Sequence, residues 1–257
     1  MEPMWRRIAE DLGQKIESGE LGADGRPLPS ELELQERYEA SRNTIREAIR
    51  WLATRNMVVT RPGQGTFVQK IDPFITRLSL DLAAVPGGED PAYASEVFAR
   101  SRRASTSPPR VEILRAAGRV ASELMMPEGT MIVSRHQERF IDDTPWSLQT
   151  SYYPMTLVER GASLLIQAEL IEPGAVAYIE GQLGLRRAGR RDRLAVRASD
   201  RRETEFFGLP DDGRVALIEL TQTAHDESGT PFLASITTFP ADRNEFVMTS
   251  GTAPADI

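Results

Sequence analysis

The segment between residues 28 and 68 constrains the fold of this chain more than any other. It begins with LPSELELQERY, in which Ser30 can cap a helix and Glu33, three residues later, completes a capping box. Ser41 can cap a second helix, SRNTIREAIRWLATRN, directly afterwards. After Asn56 the helical spacing gives way to MVVTRPGQGTFV, two short β-rich runs around a Pro-Gly-Gln-Gly turn. The pattern therefore predicts two helices followed by a hairpin with a glycine-rich tip.

A third helix is predicted before this segment. Pro3 suits a first helical turn, and apolar residues then recur at helical spacing until Gly19 and Gly22 end the pattern. Each predicted helix has one apolar stripe, formed by Trp5, Ile8, Leu12 and Ile16 in the first, by Leu34 and Tyr38 in the second, and by Ile45, Ala48, Ile49 and Leu52 in the third. Three short helices and a hairpin are typical of a winged helix-turn-helix, a DNA-binding fold.

The charges of this region differ from those of the whole chain. The protein has 31 basic and 38 acidic residues, a net charge of −7. Residues 41–70 carry only Glu47 against six basic residues, namely Arg42, Arg46, Arg50, Arg55, Arg61 and Lys70. Because charges beyond a Debye length of about 8–10 Å are largely screened, this local excess decides whether phosphate is attracted. The alternative is that these residues only solvate a helix face.

The start of the third predicted helix carries side chains that can read DNA bases in the major groove. An arginine can bind guanine through two hydrogen bonds, an asparagine can bind adenine, and a threonine methyl group can contact thymine. All three types occur here, as Arg42, Asn43, Thr44 and Arg46. The N-terminal end of a helix also attracts phosphate. Alternatively, Ser41 and Thr44 serve only as helix caps, and Gly63 and Gly65 only as turn residues.

Residues 4 to about 70 resemble the DNA-binding domain of the GntR family of bacterial transcription regulators. The resemblance rests on Leu28-Pro29-Ser30-Glu31, Ser41-Arg42, Thr44-Ile45-Arg46 and Gly63-x-Gly65-Thr66-Phe67-Val68. It implies that Arg42 and Arg46 contact operator DNA and that the wing tip, Pro62-Gly63-Gln64, approaches the minor groove. The predicted DNA-binding residues are Ser41, Arg42, Asn43, Thr44, Arg46, Arg61, Gly63, Gln64, Gly65 and Thr66. Many members have a phosphate-binding basic residue at the position of Leu32, so that contact is missing here, or Arg37 or Arg61 supplies it.

The rest of the sequence predicts a linker and a second domain. We expect residues 1–70 to form the DNA-binding domain, 71–109 a linker and 110–250 the second domain, since Pro86-Gly87-Gly88 and RSRRASTSPPR look flexible. The strand-like segments are 110–116, 131–140, 146–153, 194–197, 215–225 and 232–239, and the helix-like segments are 157–167, 175–183 and 199–207. Mixed antiparallel strands with flanking helices indicate an α+β domain.

The second domain resembles the UTRA effector-binding domain of the HutC subfamily, whose fold is related to chorismate lyase. The resemblance rests on Asp143-Thr144-Pro145-Trp146, Ser151-Tyr152-Tyr153-Pro154, Phe206-Phe207-Gly208-Leu209-Pro210, Gly229-Thr230-Pro231 and Ala241-Asp242-Arg243. It implies an antiparallel sheet that binds a small-molecule effector. An arginine pair often grips anionic effectors in this subfamily, and those positions hold Gln137 and Arg139 here. Two frequent glutamates are replaced by Gln149 and Leu233, which favours an apolar or weakly anionic effector.

Strand alternation gives a second reason to expect a ligand site in this domain. One strand face holds Met131, Val133, Arg135, Gln137 and Arg139, and one face of the next strand holds Trp146, Leu148, Thr150 and Tyr152. A face that mixes aromatic, hydroxyl and guanidinium groups suits a small molecule. The predicted effector-binding residues are Gln137, Arg139, Trp146, Thr150, Tyr152 and Ser235. The alternative is that Trp146 and Tyr152 are core aromatics and that Arg139 is a solvated edge residue.

We expect a cytoplasmic homodimer that represses transcription, binds double-stranded operator DNA and responds to a small-molecule effector, with no cofactor, metal or membrane. The chain has no cysteine and only two histidines, His136 and His225, too few for a multi-histidine metal site. Its only lysines, Lys15 and Lys70, lie in or beside the DNA-binding half, which argues against pyridoxal-phosphate chemistry. No apolar run of about 18 residues predicts a membrane helix. The alternatives are an enzyme of chorismate-lyase-like fold and a DNA-binding protein whose second domain only dimerises.

Overall fold

The structure, a computed structural model, describes residues 3–22, 27–55, 57–68, 74–78, 97–98, 101–209 and 215–248. The chain divides into two compact units: the first combines residues 1–73 with 199–215, and the second combines 74–198 with 216–257. No helix within the described ranges has the length and hydropathy that a bilayer crossing requires.

The first unit contains the three predicted helices and the predicted hairpin. The helices are α1 (Met4–Glu17), α2 (Glu31–Tyr38) and α3 (Arg42–Thr54), and the antiparallel hairpin is β1 (Val58–Arg61) and β2 (Gly65–Val68). Both halves of the predicted capping box at Ser30 and Glu33 are present, and the hydroxyl of Ser41 accepts the hydrogen bond that starts α3. The local sequence therefore fixes where α2 and α3 begin.

The apolar stripes of the three helices meet in one core. Its largest fully buried members are Leu12, Leu34, Ile45 and Leu52, and Val58 joins them from β1. Burying a side chain of this size contributes roughly 1.5–3 kcal/mol, so these contacts dominate the stability of a unit this small. The core holds α3 by one face and leaves its opposite face, with Arg42 and Arg46, exposed.

The second unit is built on a seven-stranded antiparallel sheet. Its strands are β4 (Ala104–Thr106), β5 (Arg110–Arg115), β6 (Met131–Ile141), β7 (Thr144–Pro154), β8 (Gly189–Arg197), β9 (Leu217–His225) and β10 (Pro231–Pro240). The order across the sheet is β4-β6-β7-β10-β9-β8, and β5 pairs with β6 beside β4. A separate parallel pair joins β3 (Phe74–Leu78) to β11 (Asn244–Met248). The predicted antiparallel α+β domain is thus confirmed.

Short helices cover parts of both faces of this sheet. One face packs on α5 (Met155–Glu159), the 3-10 helix Ser163–Ile166 and α6 (Ala175–Leu183), through an apolar core that includes Val133, Tyr153, Leu165, Ile179 and Leu233. The other face packs on α4 (Gly118–Glu123) through a smaller apolar cluster. A last helix, α7 (Arg201–Phe207), belongs to the first unit although it lies between β8 and β9 in the chain.

Several elements differ from the sequence-based expectation. Two strands, β3 and β4, lie within the predicted linker 71–109 and pair with strands of the second unit. They were not predicted because their partners lie far away in the sequence. The predicted helix 157–167 is instead α5 followed by a 3-10 helix, and α4 and β11 were not predicted. The Pro86-Gly87-Gly88 segment lies outside the described residues.

Candidate functional site

The start of α3 presents a set of exposed polar side chains. Arg42, Asn43 and Arg46 are exposed, and Thr44 is half-buried. Ser41 lies beside them, but its hydroxyl oxygen already accepts the backbone N–H of Thr44 at 3.2 Å and lies 2.8 Å from the Thr44 hydroxyl. The structure therefore gives Ser41 the role of helix cap and leaves the two arginines and Asn43 as the outward-facing groups.

Both arginines contact the same carboxylate. The Nε of Arg42 lies 3.0 Å from Oε2 of Glu31, and the Nε of Arg46 lies 3.2 Å from Oε1 of the same residue. Glu31 is the first residue of α2, so one acidic side chain joins the start of α2 to the start of α3. The sequence patterns singled out Glu31 only as part of a motif, since its partners lie 11 and 15 positions away.

The hairpin tip is a tight turn that keeps its residues exposed. The backbone N–H of Gln64 donates to the carbonyl of Arg61 at 3.0 Å, and Gly63 between them has a φ of 72°. This geometry is that of a type II turn, which requires a positive φ at its third residue and favours proline at its second, here Pro62. The guanidinium of Arg61 lies over the ring of Phe67, 4.8 Å from its centroid. Arg61, Gly63, Gln64 and Gly65 are exposed and Thr66 is half-buried.

The opposite end of α3 is organised differently. The guanidinium of Arg55 stacks on the ring of Trp51, 4.0 Å from its centroid. Arg55 is half-buried there, whereas Arg42 and Arg46 project from the first turns of α3 with side chains 67% and 58% exposed. Arg50, in the third turn of α3, is exposed as well, so it is Arg55, directly after the helix, that is partly covered by a neighbouring side chain.

The second unit contains a buried polar cluster on one face of its sheet. Side chains directly opposite each other in paired strands lie on the same face. Gln137, Gln149 and Thr237 are opposite one another across β6, β7 and β10. The next pairs along the same face are Ser151 with Ser235, and Arg139 with Ser147. Each of these seven side chains is at least nine-tenths buried. We call this set the polar cluster: Gln137, Arg139, Ser147, Gln149, Ser151, Ser235 and Thr237.

Hydrogen bonds inside the polar cluster leave polar atoms available. Nε2 of Gln149 donates to the hydroxyls of Ser151 at 3.2 Å and Ser235 at 3.0 Å. The Oε1 of Gln137 and the hydroxyl of Ser147 have no hydrogen-bond partner within the described part of the chain. A buried polar atom without a partner costs about 1–3 kcal/mol, so the cluster favours a bound group that supplies the missing hydrogen bonds.

The predicted effector residues are divided between different environments. Gln137, Arg139 and Ser235 belong to the polar cluster, but Thr150 and Tyr152 lie on the opposite face, where Nδ1 of His136 is 2.9 Å from the Thr150 hydroxyl. Trp146 is buried against Phe239 and Leu220, and its indole N–H donates to Asn244. Alternation predicted that Gln137 and Arg139 share a face of β6 and that Thr150 and Tyr152 share a face of β7, and the strand pairing puts these two pairs on opposite faces of the sheet.

A register shift in the sheet affects the position of Trp146. The pairing of β6 and β7 is irregular between Arg139 and Phe140, so Trp146 cannot be assigned to a face by counting from Tyr152. Four members of the polar cluster were not among the predicted effector residues: Ser147, Gln149, Ser151 and Thr237. The sequence signal that could have indicated them is a polar residue at every second position of an otherwise buried strand, as at Ser235 and Thr237.

Arg135 has a structural role on the face that carries the polar cluster. Its Nη1 donates to the carbonyls of Leu164, Leu165 and Gln167, and its Nη2 donates to that of Glu169, at 2.6–3.1 Å. This fully buried guanidinium therefore anchors the segment after α5 to β6.

Burial affects the ionisation of groups on the opposite face. It lowers the pKa of His136 below its ordinary value, and the nearby charge of Arg110 acts in the same direction. Burial also raises the pKa of the Tyr152 phenol. No group of three or more histidine, aspartate or glutamate side chains that could hold a metal ion occurs in the part of the chain that the structure describes.

These two units define a class of protein: a winged helix-turn-helix regulator with a second, ligand-binding domain. Two family profiles match the chain, that of the bacterial regulatory proteins of the gntR family at residues 5–68 and that of the UTRA domain at residues 99–245. The second match spans more than half of the 257 residues. The chain belongs to the GntR family of transcription regulators that carry a UTRA domain.

Several regulators are similar to this chain over most of its length. The HTH-type transcriptional repressor NagR of Bacillus subtilis is 24% identical over 245 residues, 95% of this chain and 93% of the relative. The regulator GgaR of Escherichia coli K12 is 22% identical over 95% of this chain and 90% of its own length. The regulator SCO4628 of Streptomyces coelicolor is 31% identical over 162 residues, and the match spans 61% of this chain and 60% of that relative.

Solved structures show the same fold. PhnF from Mycobacterium smegmatis superposes with a TM-score of 0.56 at 21% identity, covering 96% of this chain and all of that one. A putative GntR-family transcriptional regulator superposes with a TM-score of 0.59 at 21% identity, covering 98% and 99% of the two chains.

Proposed function

We propose that this protein is a repressor that binds a pseudo-palindromic operator as a homodimer and releases it when a small molecule binds the UTRA domain. The observation that carries the proposal is the exposure of Arg42, Asn43 and Arg46 at the start of α3, close in sequence to an exposed glycine-rich wing. The similarity to NagR, which is named a repressor, favours repression over activation. Because bacterial operator DNA lies in the cytoplasm, we place the protein there.

DNA recognition on this proposal starts with α3 in the major groove. The N-terminal residues of a recognition helix contact base edges, so we expect Arg42 and Arg46 to bind guanine and Asn43 to bind adenine. Ser41 and Thr44 hold the helix start through their hydrogen bonds. The wing residues Arg61, Gly63, Gln64, Gly65 and Thr66 approach the adjacent minor groove or backbone.

The proposed dimer follows from the amount of sequence that one helix can read. A single recognition helix contacts only a few base pairs, and two copies related by a twofold axis double the contacts. The half-sites of such an operator lie about one helical turn, or a multiple of it, apart on the DNA. We propose that the UTRA domain supplies most of the dimer interface.

The proposed effector site is the polar cluster. Arg139 contributes one positive charge, and the other members are neutral amides and hydroxyls. A wholly apolar ligand would leave Gln137 and Ser147 without partners, which costs free energy. The cluster therefore favours a polar effector that is uncharged or carries a single anionic group, and we propose that the domain senses this effector without converting it.

Selection of operator sequences from random duplexes tests the DNA-binding proposal. The wild-type chain should enrich sequences with two inverted half-sites, and it should sediment as a dimer at micromolar concentration. Arg46→Ala should cost about 1–3 kcal/mol of binding free energy and relax the preference at one base position of each half-site.

Arg55→Ala is the matched control for this test. It removes the same charge, but from the residue directly after α3, whose guanidinium is stacked on Trp51. We expect it to have little effect on affinity, or to weaken binding to all sequences alike. An Arg46→Ala variant that keeps the wild-type affinity and base preference would show that the recognition surface has been assigned wrongly.

A further inference from the structure

Glu31 holds the two arginines at the start of α3 with one carboxylate. Each carboxylate oxygen takes one arginine: Oε2 lies 3.0 Å from Nε of Arg42, and Oε1 lies 3.2 Å from Nε of Arg46. The Glu31 side chain is 34% exposed, and the arginine side chains are 67% and 58% exposed. The three charged groups therefore form one cluster at the surface proposed to face DNA.

The local structure of α2 fixes the position of this carboxylate. Glu31 directly follows Ser30, whose capping box with Glu33 sets the start of the helix. The backbone carbonyl of Glu31 accepts a hydrogen bond from Nε2 of Gln35 at 3.1 Å. An acidic side chain in the first turn is also favoured by the helix dipole. The position of Glu31 is thus fixed by α2 itself, independently of the arginines of α3 that contact it.

Stability alone does not explain this arrangement. Arg42 and Arg46 are four positions apart on α3, where like charges repel, and they lie at the helix end that disfavours cations. Glu31 offsets both effects, but ion pairs as exposed as these contribute little to folding because solvent screens them. The contact with Glu31 has a larger effect on where the guanidinium groups point.

A guanidinium whose Nε binds a carboxylate keeps the N–H donors of its two Nη atoms. A guanidinium carries five N–H groups, one on Nε and two on each Nη. The Nε–H of Arg42 donates to Glu31, so the two Nη atoms of Arg42 are left for a guanine, whose O6 and N7 accept two hydrogen bonds, and Arg46 is held beside it by its ion pair with the same carboxylate. The same contact restrains each arginine from turning towards a phosphate, and the carboxylate itself repels phosphate.

We propose that Glu31 is a positioning residue for specificity: it directs Arg42 and Arg46 to bases and suppresses their use on the phosphate backbone of unrelated DNA. This inference rests on the proposed DNA-binding function of the two arginines. It predicts that loss of the carboxylate strengthens non-specific binding while weakening discrimination between sequences.

The test compares Glu31→Gln with Glu36→Gln in the full chain. Glu36 is exposed on the same helix, five positions further on and so about 140° around it, and its substitution removes the same charge. Binding is measured on the selected operator and on a scrambled duplex of equal length, at several salt concentrations. Circular dichroism melting checks that both variants are folded.

For Glu31→Gln we expect the affinity for the scrambled duplex to rise about three- to tenfold at low salt, and the ratio of specific to non-specific affinity to fall about tenfold. The slope of log K against log salt concentration on the scrambled duplex should steepen by about 1, as one more phosphate contact requires. Glu36→Gln should change neither the ratio nor the slope by a comparable amount.

The arginine variant separates failure of this inference from failure of the proposed function. In an Arg42→Ala/Arg46→Ala background, Glu31→Gln should have no more effect than Glu36→Gln, since its targets are gone. If Arg46→Ala weakens operator binding but Glu31→Gln matches Glu36→Gln in ratio and slope, the role of Glu31 is overturned and the DNA interface stands. If Arg46→Ala changes nothing, the interface and the role of Glu31 both fail.

Discussion

From the sequence, Ser41 could either contact DNA or cap α3, and the structure supports the cap. Its position beside Arg42 fits a DNA contact, but its hydroxyl oxygen accepts the N–H of Thr44, as an N-cap should. An N-cap residue has non-helical backbone geometry, and Ser41 has φ −66° and ψ 154°. Capping was the alternative interpretation of the sequence, and the hydrogen bond supports it.

The cap predicts different effects for two small substitutions. Ser41→Ala should lower the free energy of unfolding of the first unit by about 1 kcal/mol, whereas Ser41→Gly should cost only a few tenths, because glycine exposes the free N–H groups to water. Urea denaturation followed by circular dichroism measures both. If the two variants unfold alike and both lose operator affinity, Ser41 contacts DNA directly and capping is not its main role.

The helical elements could be predicted largely because their signals are local. The capping box at Ser30, the cap at Ser41 and the apolar spacing of α3 all lie within a few residues of the structure they specify. The faces of the sheet could not be predicted in the same way, since the irregularity between Arg139 and Phe140 depends on how two strands pair. Thr150 and Tyr152 lie on the face opposite the polar cluster because their neighbours Gln149 and Ser151 pair with Gln137 and Arg135, and the irregularity affects Trp146 alone.

Helix α4 is attached to the sheet by a buried carboxylate. Oε2 of Glu123 accepts hydrogen bonds from the hydroxyl of Thr223 at 2.7 Å and from Nη2 of Arg191 at 2.6 Å. Burial opposes ionisation of Glu123, but the contacts with Thr223 and Arg191 outweigh it, so the pKa lies below the ordinary value of 4.5. Arg191 is 54% exposed and screened by solvent, so the bond from Thr223 carries much of the effect.

This contact predicts a pH-dependent stability. The unfolded chain takes up a proton near pH 4.5 and the folded carboxyl only at lower pH, so the contribution of Glu123 is complete above the unfolded pKa and is lost as pH falls through the folded one. Glu123→Gln should cost about 1–3 kcal/mol at pH 7, and the difference from wild type should shrink below about pH 4.5. Thermal melts of both proteins between pH 3 and pH 7 measure this.

The exposed Glu227→Gln is the control for that series, because it makes the same chemical change in a hairpin loop. It should alter neither the stability at pH 7 nor the pH profile. A Glu123→Gln variant as stable as wild type at every pH would mean that α4 is held by its apolar contacts alone.

The molecule as a whole combines units whose sequence signals differ in range. The part of the first unit before residue 74 is continuous in sequence, and local signals predicted its helices and its hairpin, whereas α7 was predicted as a helix of the second domain. The second unit depends on pairs such as Phe74 with Asn244, which are 170 positions apart, and on strand order, neither of which leaves a local pattern. This is why β3 and β4 were assigned to a linker although their backbones pair with the second unit.

The two faces of the large sheet allow a matched test of effector sensing. Ser235 and Ser134 are both buried serines of the sheet, but Ser235 lies in the polar cluster, where its hydroxyl accepts from Gln149, and Ser134 lies on the other face opposite Tyr152. An effector is first identified by thermal-shift screening of the full chain with neutral sugars, sugar phosphates and carboxylic acids. We expect neutral or singly anionic compounds to bind, and to be recovered unchanged.

A repressor is released by ligand only if the ligand prefers the arrangement that does not bind DNA. Ser235→Ala should therefore leave operator affinity close to wild type while raising the effector concentration needed for release about 5- to 30-fold, the equivalent of about 1–2 kcal/mol. Ser134→Ala should leave that concentration unchanged. Fluorescence anisotropy of labelled operator, titrated with effector, measures both. Equal shifts in the two variants, or loss of operator binding by a Ser235→Ala protein that is still dimeric, would show that the polar cluster is structural and that the effector binds elsewhere.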